Sequence, residues 1–326
     1  MKFLVSILCI IPAFVWAEGQ IFSLTLENDL FSGYSKDQNY THGTRLSLLQ
    51  TDEHAPHAVQ KIAELLPWYQ EGYHVGTIYS IGQNLYTPED ISTQTPNPKD
   101  RPYAAMLYGS VGIATASSDY YQVDELELMA GVVGPSALGK ETQQLVHEAV
   151  RAKKPRGWHH QLKDEPILNF LWQRRWPTFL EQAKGDFKIK WEPHVTAALG
   201  NAHTFAGGGL TVSLFPKDTP LQDHPLRVRP ALPGTGYYKP MSRRLHWAVF
   251  SGVESRFIAR DIFLQGNSWQ KSPSVTPYFA TADVQAGFAF TYGKARLAYT
   301  AVYRTREFEG QNTPNIFGAV SLSWQF

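Results

Sequence analysis

The chain has 326 residues with 30 Lys and Arg against 29 Asp and Glu, a formal net charge of +1. That balance gives no electrostatic footprint for nucleic acid or another polyanion, and a lone cysteine, Cys9, excludes a disulfide framework and a thiolate metal site. Aromatic residues make up 13 % of the chain, and no apolar run after residue 17 approaches the ~20 residues of a membrane helix, so any membrane crossing falls to strands.

The first segment reads as targeting rather than fold. Met1-Lys2 form a basic start, Phe3 to Phe14 an apolar run, and Val15-Trp16-Ala17 a processing site ending in a small residue, the pattern of a removable signal peptide over residues 1–17. Cys9 sits too early in that run to be a lipoprotein attachment site. Residues 18–326 are then a single domain, a length that barrels commonly use as one unit, and their lack of cysteine suits an oxidising compartment.

The next stretch, Glu27 to Leu49, reads as a β-hairpin. Glu27, Asn28 and Asp29 close its first strand, Ser32 to Gln38 make the tip, and Tyr40 and Thr41 open the second strand. Taken alone, Asn28 and Asp29 are ordinary turn formers. Further on, period-two alternation dominates. Phe187, Ile189, Trp191, Val195, Ala197 and Leu199 share one face; Leu297, Tyr299, Ala301 and Tyr303 share another, opposed by Arg296, Thr300, Arg304 and Arg306. These runs match the ~9–11 residues of a tilted membrane-crossing strand. The last strand, with Val320, Leu322, Trp324 and Phe326 alternating with small or polar residues, ends on an aromatic in the manner of bacterial outer-membrane barrels.

Segmentation gives about twelve strands, at 20–28, 40–49, 75–86, 102–114, 119–133, 166–175, 187–200, 204–215, 245–259, 278–291, 295–307 and 316–326, an all-β transmembrane antiparallel barrel with both termini on the periplasmic side. Two connections left on that side are long. His54 to Gly72 has helical character over Ala58–Leu66, and the proline-rich Pro216 to Arg244 has no role legible from its residues. The longest connection on the opposite, extracellular side, Gly134 to Glu165, contains a short helix. Ser136 is its expected N-cap, Glu141 falls in its early turns, Leu138, Leu145, Val146 and Val150 are its expected apolar contacts, and His147 lies beside Gln143. Carboxylate, amide and hydroxyl oxygens on the same rim as an imidazole form the inventory of metal-assisted hydrolysis.

Several segments carry a family likeness: Glu27-Asn28-Asp29-Leu30-Phe31 with Tyr40-Thr41-His42-Gly43, Tyr86-Thr87-Pro88-Glu89-Asp90, Asp100-Arg101-Pro102-Tyr103, Gly134-Pro135 followed by His147, and Gly157-Trp158 leading to Glu165-Pro166. In this order and spacing the chain resembles the outer-membrane lipid A 3'-O-deacylases, calcium-dependent twelve-stranded barrels. The resemblance implies an ester hydrolase that removes the 3'-linked acyloxyacyl group, with His147 as general base and Asp29 and Asn28 at a Ca²⁺ ion. Thr41 then holds a ligand or orients water, with Glu27, Gln143 and Glu165 as supporting partners. It further implies lipid A or lipopolysaccharide as substrate, outer-membrane lipid around a monomeric barrel, and the barrel assembly machinery as partner during biogenesis. A lysine that some members carry after the third strand has no clear counterpart; Thr93 stands near its place and Lys99 is the one lysine of that loop.

Two other readings are set against it. A serine-histidine phospholipase barrel calls for a His-any-Ser arrangement, which none of the 11 histidines has. A porin or structural barrel accounts for the alternation but gives His147 no task. The pair His159-His160 reads as a solvated or partner-binding feature rather than a metal site.

Overall fold

The computed structural model describes residues 19–32, 38–51, 54–230, 234–240 and 244–326. The expected signal peptide and most of the hairpin tip lie outside the described residues. The strands are β1 (Gln20–Asn28), β2 (Asn39–Thr51), β3 (His74–Thr87), β4 (Ala104–Ala116), β5 (Val123–Val133), β6 (Glu165–Arg175), β7 (Leu180–Lys184), β8 (Phe187–Gly200), β9 (His203–Pro216), β10 (Leu245–Asp261), β11 (Ala280–Tyr292), β12 (Ala295–Arg304) and β13 (Asn315–Gln325). Three helices accompany them: α1 (His57–Glu64), α2 (Gly139–Val150) and the single turn α3 (Ile262–Gln265).

Each strand pairs antiparallel with its neighbours, and β1–β13 and β6–β8 close the ring. β6 and β7 both pair with β8 and act as one strand interrupted around Pro177, which has no amide to donate. The ring therefore has twelve walls, as the alternation predicts. β5 begins later than expected because residues 117–122 turn, with the Asp119 carboxylate accepting from Ser117 Oγ (2.6 Å) and Tyr121 N (3.0 Å).

Alternation sorts side chains to two sides of the wall. Leu46, Ile81, Val111, Leu128, Leu168, Phe170, Leu199, Val253, Phe257, Leu297 and Leu322 are exposed on the outside. Ser23, Thr25, Glu27, Arg45, Glu125, Glu127, Arg175, Glu192, Glu254, Arg256 and Asp283 are buried inside.

That interior is not an open channel. The irregular connection between β9 and β10 turns back into the barrel, where Leu226, Arg227, Val228, Arg229 and Tyr238 are almost wholly buried. Arg227 pairs with Glu27, and Val228 N donates to Glu27 Oε1 (3.1 Å). Arg229 pairs with Glu125 and, at 2.7 Å, with Glu127, while Arg45 Nη1 donates to the Arg227 carbonyl and Asn84 Nδ2 to the Arg229 carbonyl. Lumen carboxylates too deep for bulk water thus find guanidinium partners on an internal strap, which is the condition for burying charge. Arg229→Met is expected to destabilise the barrel by about 3–5 kcal/mol, because it takes from buried Glu125 the guanidinium it pairs with and leaves buried Glu127 to the longer contact with Arg45 (3.4 Å). Urea unfolding of the folded protein in detergent measures it, and a loss under 1 kcal/mol (~5-fold) would refute the assignment.

Candidate active site

Asn28 is the last residue of β1 and faces outward, opposite to Glu27. Its Nδ2 donates to the Thr41 carbonyl (2.9 Å) and its Oδ1 accepts from Leu30 N (2.8 Å). Asp29 opens a 3-10 turn, Asp29–Ser32, and its Oδ2 accepts from Gln38 N (3.2 Å), which ties the two sides of the hairpin together. A β-bulge between Tyr40 and His42 inserts Thr41 as an extra residue. Its hydroxyl meets Thr87 Oγ1 at 2.6 Å, while Tyr40 turns inward onto Tyr86 and Phe317. Asn28, Asp29 and Thr41 are 8 %, 2 % and 2 % exposed, so their oxygens are gathered in a shielded corner.

Glu27 does not support this corner from the same side. Successive strand residues face opposite sides, and Glu27 points into the lumen onto Arg227.

The second part of the site is the outward-lying loop between β5 and β6. A 3-10 turn, Pro135–Ala137, leads into α2, and Gln83 Nε2 on β3 donates to the Ala137 carbonyl (2.6 Å). Ser136 is not the helix cap: its amide and hydroxyl bind the Asp164 carboxylate at 2.8 and 2.9 Å, and left-handed Leu138 (φ 59°) stands at the cap position. Nor do the apolar residues of α2 make its buried face. Leu138, Leu145 and Val150 are 52 %, 57 % and 56 % exposed, whereas Gly139, Gln143 and His147, spaced one turn apart, form the buried stripe. The wall side of this helix is therefore small and polar, while its outer side mixes apolar Leu145 and Val150 with charged Lys140, Glu141 and Glu148.

Gly139 makes the close approach possible. A Cβ there would lie 2.3 Å from Ala105 Cβ and 2.7 Å from the Trp158 ring. Trp158 packs at a tilt against Tyr103, with ring centroids 5.0 Å apart, and donates from Nε1 to Gln143 Oε1 (2.7 Å). Gly139→Val is expected to shift the helix off the wall and lower turnover about 10²-fold, the scale of a ~1 Å misplacement. The measurement is turnover in a folded, heat-modifiable barrel, and an unchanged rate would argue against a role for this helix.

His147 is buried at 4 % exposure, and its Nδ1 hydrogen-bonds the Lys153 carbonyl. A carbonyl only accepts, so Nδ1 carries the proton and Nε2 the lone pair. The turn that supplies this carbonyl is itself pinned, since Arg156 N donates to the Ile91 carbonyl (2.9 Å) in the loop between β3 and β4. In that loop burial raises the Asp100 carboxyl above its usual range, although the amides of Glu89 and Arg101 donate to it. Thr93 is exposed and its hydroxyl turns back onto the Asp90 carbonyl (3.4 Å), and Lys99 is exposed.

Glu165 is not placed as a partner of His147. Its Oε1 accepts from Asn201 Nδ2 (3.0 Å), and its Oε2 from Asn267 Nδ2 (3.1 Å) and Ser268 N (2.7 Å), which knits neighbouring loop ends together. His159 and His160 are exposed with rings 4.1 Å apart. Among the described residues no three His, Cys, Asp or Glu side chains cluster as a metal site. The oxygen corner on β1–β3 and the imidazole unit on β3–β5 therefore occupy adjoining sectors of one outward face, with β3 common to both.

A family model described as "Outer membrane protein LpxR" matches residues 3–326. The chain belongs to the LpxR family. It is an outer-membrane lipid A 3'-O-deacylase, an ester hydrolase built on a twelve-stranded barrel. LpxR from Salmonella typhimurium superposes with a TM-score of 0.72 at 19 % identity, covering 94 % of this chain and 100 % of that one. The β-domain of the Bordetella autotransporter BrkA gives a TM-score of 0.45 at 9 % identity, covering 95 % of this chain and 99 % of that one, a likeness too distant to carry any argument. A search of curated proteins found no match. Of the residues that build this LpxR-family site, Thr87, Gly139 and Trp158 have no chemical signature of their own. Only their place in the quoted motifs, or beside them, points to them.

Proposed function

We propose that this LpxR-family barrel cleaves the 3'-linked acyloxyacyl ester by attack of a water molecule that His147 deprotonates, at the extracellular end of the barrel. The observation that carries the reading is the fixed imidazole: His147 is buried between α2 and the wall, with Nδ1 held by the Lys153 carbonyl, which leaves Nε2 as the base. Gln143, one turn away and held by Trp158, keeps Nε2 of its amide buried without a hydrogen-bond partner among the described residues, a donor suited to orienting that water.

The proposed cofactor is Ca²⁺. Ca²⁺ takes hard oxygen ligands, and the corner offers the Asp29 carboxylate, the Asn28 amide oxygen and the Thr41 carbonyl and hydroxyl, all shielded by the hairpin. With one carboxylate present, the remaining ligands are amide, main-chain and water oxygens, so the donor set fits calcium better than a transition metal. When bound, the ion supplies positive charge that polarises the ester carbonyl. Asp29 and Asn28 hold the corner in shape, Thr41 is braced by Thr87, and the outward site lets substrate arrive sideways from the outer leaflet with its acyl chains along the wall. Mass spectrometry of lipid A from cells making the protein, with and without calcium, tests the reading; lipid A that stays fully acylated in both would refute it.

The head group needs a cation that the loop after β3 does not clearly provide. Lys153, Lys154 and Arg156 are exposed in the turn that closes on His147, and they are proposed to meet the lipid's phosphate. The pair Lys153→Glu and Lys154→Glu is expected to raise KM about 30-fold or more, from roughly 1 kcal/mol for each of the two surface cations lost, with kcat little changed. A fall in kcat at constant KM would assign these residues elsewhere.

A further inference from the structure

The connection between β2 and β3 folds back along the outside of the barrel at the end where the termini lie. Ala63 of α1 is buried and Val59 partly so, against Val75 of β3 and Ile113 of β4. Both wall residues belong to the outward-facing set, as do Tyr79 (38 % exposed) four residues farther along β3 and Val111 (40 % exposed) two residues from Ile113 on β4. The helix therefore covers the last rungs of the wall just where the exposed apolar belt ends.

Helical periodicity divides α1 into three faces. Val59 and Ala63 meet the wall. His57, Lys61 and Glu64 form an exposed polar stripe. Ala58, Ile62 and Leu65, at i, i+4 and i+7, form an exposed apolar one, with Ile62 48 % and Leu65 82 % exposed. Just beyond, Trp68 donates to Thr115 Oγ1 (3.3 Å) and lies 6.1 Å from Trp172, and the Arg174 guanidinium sits 5.6 Å from the Trp68 ring and 5.7 Å from the Trp172 ring. Asp124 in turn accepts from Arg174 and Trp172. Tryptophan and arginine grouped at the edge of an apolar belt mark a membrane–water interface.

We propose that α1 lies in the interface of the leaflet at the terminus end, with Ala58, Ile62 and Leu65 in lipid and His57, Lys61 and Glu64 in water. The partner is a phospholipid surface, chosen over a docked protein because the apolar stripe continues the outward belt of β3 and β4 and is bordered by the Trp68–Trp172–Arg174 group. A short helix with one apolar stripe and one charged stripe has the build of an interfacial anchor. Its location gives it a task. α1 packs on β3 and β4, and α2 packs on β4 near the other end of the same flank, so α1 fixes the depth and tilt of the sector on which the proposed site opens.

The only cysteine is Cys9, so the Cys9→Ser chain accepts single nitroxide labels. Ile62→Cys, Leu65→Cys, Lys61→Cys, Glu64→Cys and, as lipid reference, Tyr79→Cys would be folded into phosphatidylethanolamine–phosphatidylglycerol vesicles and read by power-saturation spectroscopy with oxygen and a water-soluble nickel chelate. Labels at 62 and 65 are expected to resemble 79, with an oxygen-to-chelate ratio several-fold above that at 61 and 64. Equal chelate access at 61, 62, 64 and 65 would overturn the proposal, as would shielding of 62 and 65 from both reagents, the mark of a protein cover. Neither outcome depends on deacylase activity, so the anchor and the catalytic reading stand or fall separately.

Discussion

His147→Ala is expected to lower the deacylation rate by about 10²–10⁴-fold, the usual contribution of a positioned general base, while the barrel still folds and inserts. The folding part follows from where the side chain sits: its hydrogen bond to the Lys153 carbonyl, worth about 1 kcal/mol, is made on a helix that lies outside the closed ring. Rates in mixed micelles, together with heat-modifiable gel mobility, separate the two. His147→Gln is the sharper variant, since it fills the same space and can donate to the same carbonyl but cannot take a proton. A variant of either kind that retains the full rate would remove His147 from the mechanism.

The second large effect concerns the oxygen corner. Asp29→Asn keeps an oxygen to accept from Gln38 N and so preserves the hairpin, but it removes the only carboxylate among the proposed calcium ligands. A metal-assisted contribution of several kcal/mol corresponds to a loss on the order of 10³-fold. Chelation of calcium in the unaltered protein is expected to give a loss of the same size, restored by adding calcium back. Calorimetric titration with calcium supplies a readout independent of turnover: Asp29→Asn should weaken binding at least tenfold. Full activity in excess chelator, or unchanged binding in the variant, would rule out this corner as the ion's site.

Much of the barrel was legible because lipid and lumen impose a strict period of two. Strands such as Phe187–Gly200 and Asn315–Gln325 alternate so regularly that their bounds and number could be read directly. The same environment hides other features. In α2 the apolar residues Leu138, Leu145 and Val150 were expected to be buried, yet they look outward and Gln143 and His147 look in. The close approach at Gly139 sets the buried face, and Gln143 and His147, one and two turns on, follow it against the wall whatever their polarity. Glu27 was grouped with Asn28 by adjacency, but adjacency along a strand means opposite sides of the wall. Ser136 had the right chemistry for a cap, and Asp164, 28 residues away, took its hydrogen bonds instead. The strap around residues 221–230 was the least legible, since Arg227 and Arg229 look like loop cations until their partners Glu27 and Glu127, 200 and 102 residues distant, are brought beside them.

That strap changes the mechanics of the wall. A hollow ring of strands deforms by ovalising, and two points on it are normally related only through the hydrogen-bonded ladders between them. Here β1 is joined across the interior to β5 through Glu27, Arg227, Arg229 and Glu125 with Glu127. β1 ends in the oxygen corner, and β5 leads directly into the loop that carries His147. The ring is spoked between the two strands whose spacing matters most, so Asn28 and Asp29 share a frame with the imidazole through the hub rather than only around the rim.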